Sequence, residues 1–188
     1  MRYARYRPYW NIPTDIVRDE IAPHVLREGM AYVEREDLEV LSDWTPRARV
    51  LDPAAVDWNA VASGATTLRV RRRPGENNIL GAVKLMLPNP LGIYLHDTPN
   101  KALFAQDARW SSAGCVRVED ADRFARWLFG ESPSASGLDH RVDLADPVPV
   151  YMTYFTAVPS GSGVVVRRDI YGRDNLVTAN GQVRDLAA

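Results

Sequence analysis

Apolar positions change their spacing several times along the chain. In residues 14–36, TDIVRDEIAPHVLREGMAYVERE, the side chains of Ile16, Val17, Ile21, Val25 and Leu26 recur near a helical period. Pro13 and Thr14 stand where a helix start favours them, and Pro23 is expected to kink or divide the segment. Residues 45–64 are rich in Pro, Ala, Asp and Gly and read as loop with a short helix. A strand is expected over 66–72, followed by a turn at Pro74-Gly75. From Ile79 the texture becomes strand-like: residues 82–88 (AVKLMLP), 92–96 (GIYLH), 148–158 (VPVYMTYFTAV) and, after a Ser-Gly linker at 160–163, residues 164–172 (VVVRRDIYG). EDADRFARWLFG is the clearest helix. Acidic residues Glu119, Asp120 and Asp122 suit its positive end, Gly130 suits its stop, and Phe124, Trp127 and Leu128 form an apolar face. No repeat or heptad run interrupts this pattern, which predicts a mainly β protein with a helical insert, α+β overall.

Composition narrows the class without naming it. The 188 residues suit one domain, and 46% apolar with 25% charged residues is ordinary for a soluble globular fold. Lys and Arg total 23 against 24 Asp and Glu, a net charge of −1, so no global field steers the chain onto nucleic acid or an anionic membrane. A single cysteine rules out an internal disulfide, a CxxC redox pair and a Cys-rich zinc site. No stretch approaches the ~20 apolar residues of a membrane span. MRYARYRPYWNIP has arginines but no apolar core of the kind export signals carry, so no export signal is expected in this chain.

The chemistry concentrates in residues 92–130. Cys115 lies in SSAGCVRVED, a tight turn just before the expected helix, where backbone N–H groups and a helix start favour negative charge. Arg117, two residues on, adds a cation, and both features favour the reactive thiolate. His96 closes an apolar strand and opens the turn HDTP, so its ring can project from the strand end. A cysteine nucleophile needs such a base, and the base needs a third group to hold its tautomer. On composition alone a lone cysteine is more often a small buried hydrophobe. His24, on the expected insert helix, and His140, in a polar loop, have no chemical neighbours in the sequence and read as structural or solvated.

HDTP followed by SxGCVR resembles the L,D-transpeptidase catalytic domain, the YkuD fold family. PYWNIP, VKLMLPN, YLHDTPNKALF, PVYMTYFTA and DIYGRD, in that order, are similar to the blocks of the murein subgroup typified by YcbB. The resemblance implies a β-sandwich-like catalytic domain over 1–188, with a cap-like insertion at 14–78 and a core with the active site at 79–174. It implies that Cys115 attacks the carbonyl between the third and fourth residues of a peptidoglycan tetrapeptide stem, releasing D-alanine. His96 would act as base and then acid, with its imidazole oriented by the backbone carbonyl of Asp97. N–H groups around Gly114 and Cys115 would form the oxyanion hole. Ser112 and Arg117 would contact substrate. A diaminopimelate amine on a second stem would accept the acyl group in a 3→3 cross-link. The resemblance implies no cofactor and no metal, peptidoglycan stem peptides as partners, and a periplasmic or cell-envelope setting.

The sequence departs from the family pattern twice. Ala113 stands where the family commonly has a histidine. The match also begins almost at the first block, so the resemblance implies an N-terminally shortened domain whose strands lose part of their cover. Three other readings compete. Cysteine peptidases of the papain or NlpC/P60 type place Cys before His, the reverse of the order here. The others are an inactive cell-wall-binding remnant and an L,D-carboxypeptidase that uses water as acceptor.

Overall fold

The computed structural model describes residues 1–107, 112, 114–132 and 137–174. They fall in two compact units divided after Pro149. In chain order the first unit holds β1 (Tyr3–Tyr6), β2 (Trp10–Asn11), α1 (Thr14–Ile16), a π-helical turn (Val17–Ile21), α2 (Ala22–Glu28), α3 (Met30–Arg35), β3 (Leu38–Leu41) and β4 (Val50–Leu51). It continues with a 3₁₀ turn (Pro53–Ala55), α4 (Trp58–Ala62), β5 (Arg69–Arg72), β6 (Val83–Met86), β7 (Tyr94–His96), a 3₁₀ turn (Lys101–Ala105), β8 (Val116–Arg117), α5 (Ala121–Phe129) and β9 (His140–Asp143). The second unit contributes the hairpin β10 (Ala157–Ser160) and β11 (Gly163–Val166). The fold is α+β, as the sequence implied.

A five-stranded sheet, ordered β8-β7-β6-β1-β9, carries the residues of interest. Its pairs are antiparallel except β7 with β8, which run parallel. Strand side chains alternate between faces, so the register sorts them. Ala4, Tyr6, Val83 and Leu85 lie on one face, each with 0% exposure, and α5 packs there through Ala121 and Ala125. Tyr6 meets Phe129 edge-on with ring centroids 6.1 Å apart. The opposite face presents Arg5, Lys84, Tyr94, His96 and Arg117, neighbours across adjacent strands.

Residues between Trp10 and Arg72 build a second, antiparallel sheet, β2-β5-β3-β4, backed by α1–α4. Ile12, Val17, Ile21, Val25, Val33, Val40, Trp58, Val61 and Val70 close its own core. Asn78 ties this sheet's entry to its exit. Fully buried, its side-chain amide donates to the carbonyls of Pro8 at 2.9 Å and Arg73 at 3.1 Å, while its side-chain oxygen accepts from the Leu80 N–H at 2.9 Å.

Several local expectations are corrected. Pro23 does not divide the first helix, because it falls in the opening turn of α2, where no N–H is required of it, and the preceding π turn carries the helix through. The break comes at Gly29 instead. α5 has the expected stops, with the Asp120 side chain accepting from the Arg123 N–H at 3.0 Å and Gly130 left-handed. Its buried stripe, however, is Ala121 and Ala125, and Trp127 is 74% exposed. His140 opens β9, paired with Tyr6, rather than lying in a loop. Of residues 148–158 only the last two are strand, since Tyr151, Met152 and Phe155 lie exposed and the backbone before Ala157 has no ladder partner among the described residues. In that unit the Tyr154 hydroxyl donates to Asp169 at 2.7 Å and accepts from the Ile170 N–H at 2.8 Å, which anchors the DIYGRD segment.

Asn78→Ala leaves two carbonyls and one N–H unpartnered in a buried position. With about 1 kcal/mol or more for each such group, the expected loss is about 2–4 kcal/mol in a denaturant melt. Asn78→Asp should do no better, because it sets a carboxylate against two carbonyl oxygens. A loss under ~0.5 kcal/mol would show that the entry and exit strands are held elsewhere.

Candidate active site

The site forms where β7 and β8 run side by side. Leu95 is in register with Val116 and His96 with Arg117, so one step back along each strand Tyr94 and Cys115 are neighbours. His96 and Cys115, nineteen positions apart in sequence, thus come to adjacent strands about 4.8 Å apart, offset by two positions along them. Cys115 is a half-buried free thiol at the mouth of β8.

His96 is held on two sides. Only 4% exposed, it places Nδ1 2.5 Å from the carbonyl oxygen of Asp97. A carbonyl only accepts, so Nδ1 carries the proton and Nε2 keeps its lone pair free to act as a base. The Tyr94 ring meets the imidazole edge-on, with centroids 5.8 Å apart. Burial is the first cause that pushes the imidazole below its ordinary value of 6.5. The Asp97 carbonyl opposes that shift, and the Arg117 and Lys84 cations reinforce it.

The turn HDTPNK is explained by the side chain of Asp97. Its carboxylate accepts from the Ala82 N–H at 2.8 Å and from Lys101 Nζ at 2.5 Å, and Lys101 also donates to the Glu119 carbonyl at 2.6 Å. The same residue's backbone carbonyl holds the imidazole, so this clamp fixes the acceptor as well as the turn. Gly81 is required by the clamp: a Cβ there would lie 2.3 Å from Asp97 Oδ2, on a backbone with φ of +59°.

The turn that leads into Cys115 is built by Ser112. Its hydroxyl donates to the Cys115 carbonyl at 2.8 Å and accepts from the Gly114 N–H at 3.3 Å. Gly114 has a φ of +122°, a region open to glycine, and this bend presents Cys115 at the start of β8. Ser112 is thereby engaged within the loop, and the long Gly114 contact is the weaker of its two bonds. Ala113, the position that departs from the family pattern, lies outside the described residues. Arg117 faces His96 in register. His24, in α2, contacts Glu28 at 2.9 Å and stacks on Tyr32, a setting of its own.

Two site residues were not singled out from sequence. Tyr94 is the register neighbour of Cys115, and burial first, then Cys115, push its phenol above the ordinary value of 10.0. Lys84 sets its ammonium 3.8 Å from the Tyr94 ring centroid. The available signal was a charged residue inside the apolar run AVKLMLP, in one of only two lysines the chain has.

A buried histidine and a half-buried thiol thus lie on adjacent strands at the edge of this sheet. The sequence model of the L,D-transpeptidase catalytic domain, the YkuD family, matches residues 1–150, and the chain belongs to that family. A protein of Haemophilus influenzae named "Putative L,D-transpeptidase" is 31% identical over 179 residues, 90% of this chain and 35% of that protein's length. The chain thus spans about a third of the relative it matches.

Two expected outcomes follow from this geometry. The His96 midpoint, read by NMR titration of its ring protons, should lie below 6.5. The folded state then binds that proton more weakly than the unfolded chain. The stability from burying the neutral ring is complete above 6.5 and declines as pH falls towards the folded midpoint. A midpoint at or above 6.5 contradicts the assignment. Separately, Gly81→Ala should lose more stability and more thiol acylation than Gly92→Ala. Gly92 also has positive φ but has nothing within 4 Å of its Cβ direction, so it bears only the backbone cost of about 1–2 kcal/mol. Equal losses in melts and in acylation rate would mean that the Asp97 clamp does not matter.

Proposed function

We propose that the chain carries out peptidoglycan L,D-transpeptidation of the murein type, with Cys115 as nucleophile. The observation that supports it most is the parallel register that sets Cys115 and His96 on one face of one strand pair. Cys115 Sγ attacks the carbonyl carbon between the third and fourth residues of a tetrapeptide stem, and His96 Nε2 takes the thiol proton. As the thioester forms, the C–N bond breaks and the imidazolium returns that proton to the departing D-alanine amine. The diaminopimelate amine of a second stem then attacks the thioester, an amide forms and the thiol is restored. One amide is exchanged for another, so the bond energy of the donor is conserved in the 3→3 cross-link.

Charge developing on the carbonyl oxygen falls beside the turn at Gly114, whose N–H holds Ser112 through a long bond that substrate can replace. Arg117 suits an acidic stem, and its guanidinium also keeps the imidazole neutral at rest. Such a substrate places the enzyme in the cell envelope. Among the described residues no helix is long and apolar enough to cross a membrane.

Incubation with a disaccharide-tetrapeptide, followed by mass spectrometry, tests the reading. Expected products are free D-alanine and a 3→3 dimer. A tripeptide alone would indicate water as acceptor, and no turnover would favour a binding remnant. A carbapenem should add one covalent adduct to the wild type and none to Cys115→Ala. His96→Ala should slow acylation about 10²–10⁴-fold, while His24→Ala should change it little. Equal labelling of wild type and Cys115→Ala would overturn the assignment.

A further inference from the structure

Lys84 is a cation that the fold itself does not require. It lies on the site face of β6, between Arg5 of β1 and His96 of β7 in register. A methionine or leucine would fill the same half-buried position at less cost, since a cation withdrawn from water needs an anion or hydrogen bonds in return. No carboxylate among the described residues pairs with it. The acidic group that reaches it from the β9 side, Asp139, is taken by Arg5 at 2.7 Å. What the ammonium does meet is the face of the Tyr94 ring at 3.8 Å, and that residue stands beside Cys115 in the β7–β8 register.

We propose that Lys84 is a positioning residue of the acyl-transfer site, acting through Tyr94 to hold the negative charge that develops on the Cys115 sulfur. The inference rests on the acyl-transfer reading of the site. A cation over an aromatic face draws electron density from the ring, so the phenol O–H becomes a stronger donor to sulfur. The same charge opposes protonation of His96, alongside Arg117. The groups that face Lys84 are Tyr94 and His96 from β7, Cys115 at the start of β8, Arg5 from β1 and Asp139 before β9. Arg5 and Asp139 neutralise each other, which leaves the sulfur as the one facing anion that the reaction creates and removes. Burial is the first influence that lowers the ammonium from its ordinary value of 10.5, and Cys115 is the first that raises it back. Coupling of this kind is reciprocal: whatever the sulfur charge contributes to the ammonium, the ammonium returns to the sulfur.

The chain has only two lysines, so ¹³Cε-lysine labelling gives two resonances, assigned by Lys84→Arg. In the wild type the Lys84 midpoint should lie below 10.5, and it should fall further in Cys115→Ala or after iodoacetamide blocks the one cysteine. Lys101, paired with Asp97, should not move. Identical Lys84 midpoints with and without the free thiol would overturn the proposal. A rate adds a second reading: iodoacetamide should modify Cys115 about 10-fold more slowly in Lys84→Met, and Lys84→Arg should restore most of the loss. Equal rates in wild type and Lys84→Met would also overturn it. Should Lys84→Met fail to fold, the titration of wild type before and after alkylation decides alone. Intact coupling without transpeptidation would reject the acyl-transfer reading only, and transpeptidation without coupling would reject the role of Lys84 only.

Discussion

The parallel pairing of β7 with β8 is the constraint on which the site depends. Side chains alternate along a strand, so a slip of one residue would turn His96 away from Cys115 and bring Leu95 in its place. Both flanks of the histidine are locked against that slip. The Asp97 N–H donates to the Val83 carbonyl at 2.9 Å on one side, and the Val118 N–H donates to the His96 carbonyl at 2.8 Å on the other. The fully buried face beneath, with Val83, Leu85 and Ala4, enforces the same register through packing. A site assembled from two strand ends is therefore specified by the core on the far side of the sheet.

Asp97 converts this register into chemistry. An exposed ion pair such as Lys101 with Asp97 contributes little stability by itself. Its effect here is geometric. The carboxylate links the start of β6, through the Ala82 N–H, to the segment entering α5, through Lys101 and the Glu119 carbonyl. The backbone carbonyl of the same residue fixes the imidazole tautomer. Three elements thus converge on one residue whose side chain never needs to touch substrate, and Gly81 leaves the room for it.

What the sequence disclosed followed from local chemistry. HDTP and SxGCVR stood out because a lone cysteine, a histidine at a strand end and turn formers are recognisable by residue type, and the structure sets them on adjacent strands. The ends of α5 were legible because Asp120 and Gly130 act on their own helix. The misses all depend on partners distant in sequence. MRYARYR reads as polar, yet Ala4 and Tyr6 alternate into the core, because β6 and β9 flank that strand. Residues 148–156 have strand composition and no ladder among the described residues. Trp127 is apolar but exposed, because Ala121 and Ala125 let α5 approach the sheet closely. Tyr94 and Lys84 become site residues only once the order β8-β7-β6 is known.

The electrostatics of the site favour one direction of proton movement in the proposed reaction. Burial, Arg117 and Lys84 all make His96 a reluctant holder of a proton. For a base that had to retain it, this would be a defect. Acyl transfer asks for the opposite, since the proton taken from the thiol must pass within the same cycle to a departing amine, and a destabilised imidazolium is the stronger acid. With Lys84 in its proposed role, the cost of forming that imidazolium is offset where its counter-charge appears, on the sulfur side, by the ammonium over the Tyr94 ring. Lys84 therefore acts on both partners of one proton transfer, and Arg117 joins it on the imidazole. They help sulfur to lose the proton and prevent the ring from keeping it, which couples thiolate formation to expulsion of the leaving group.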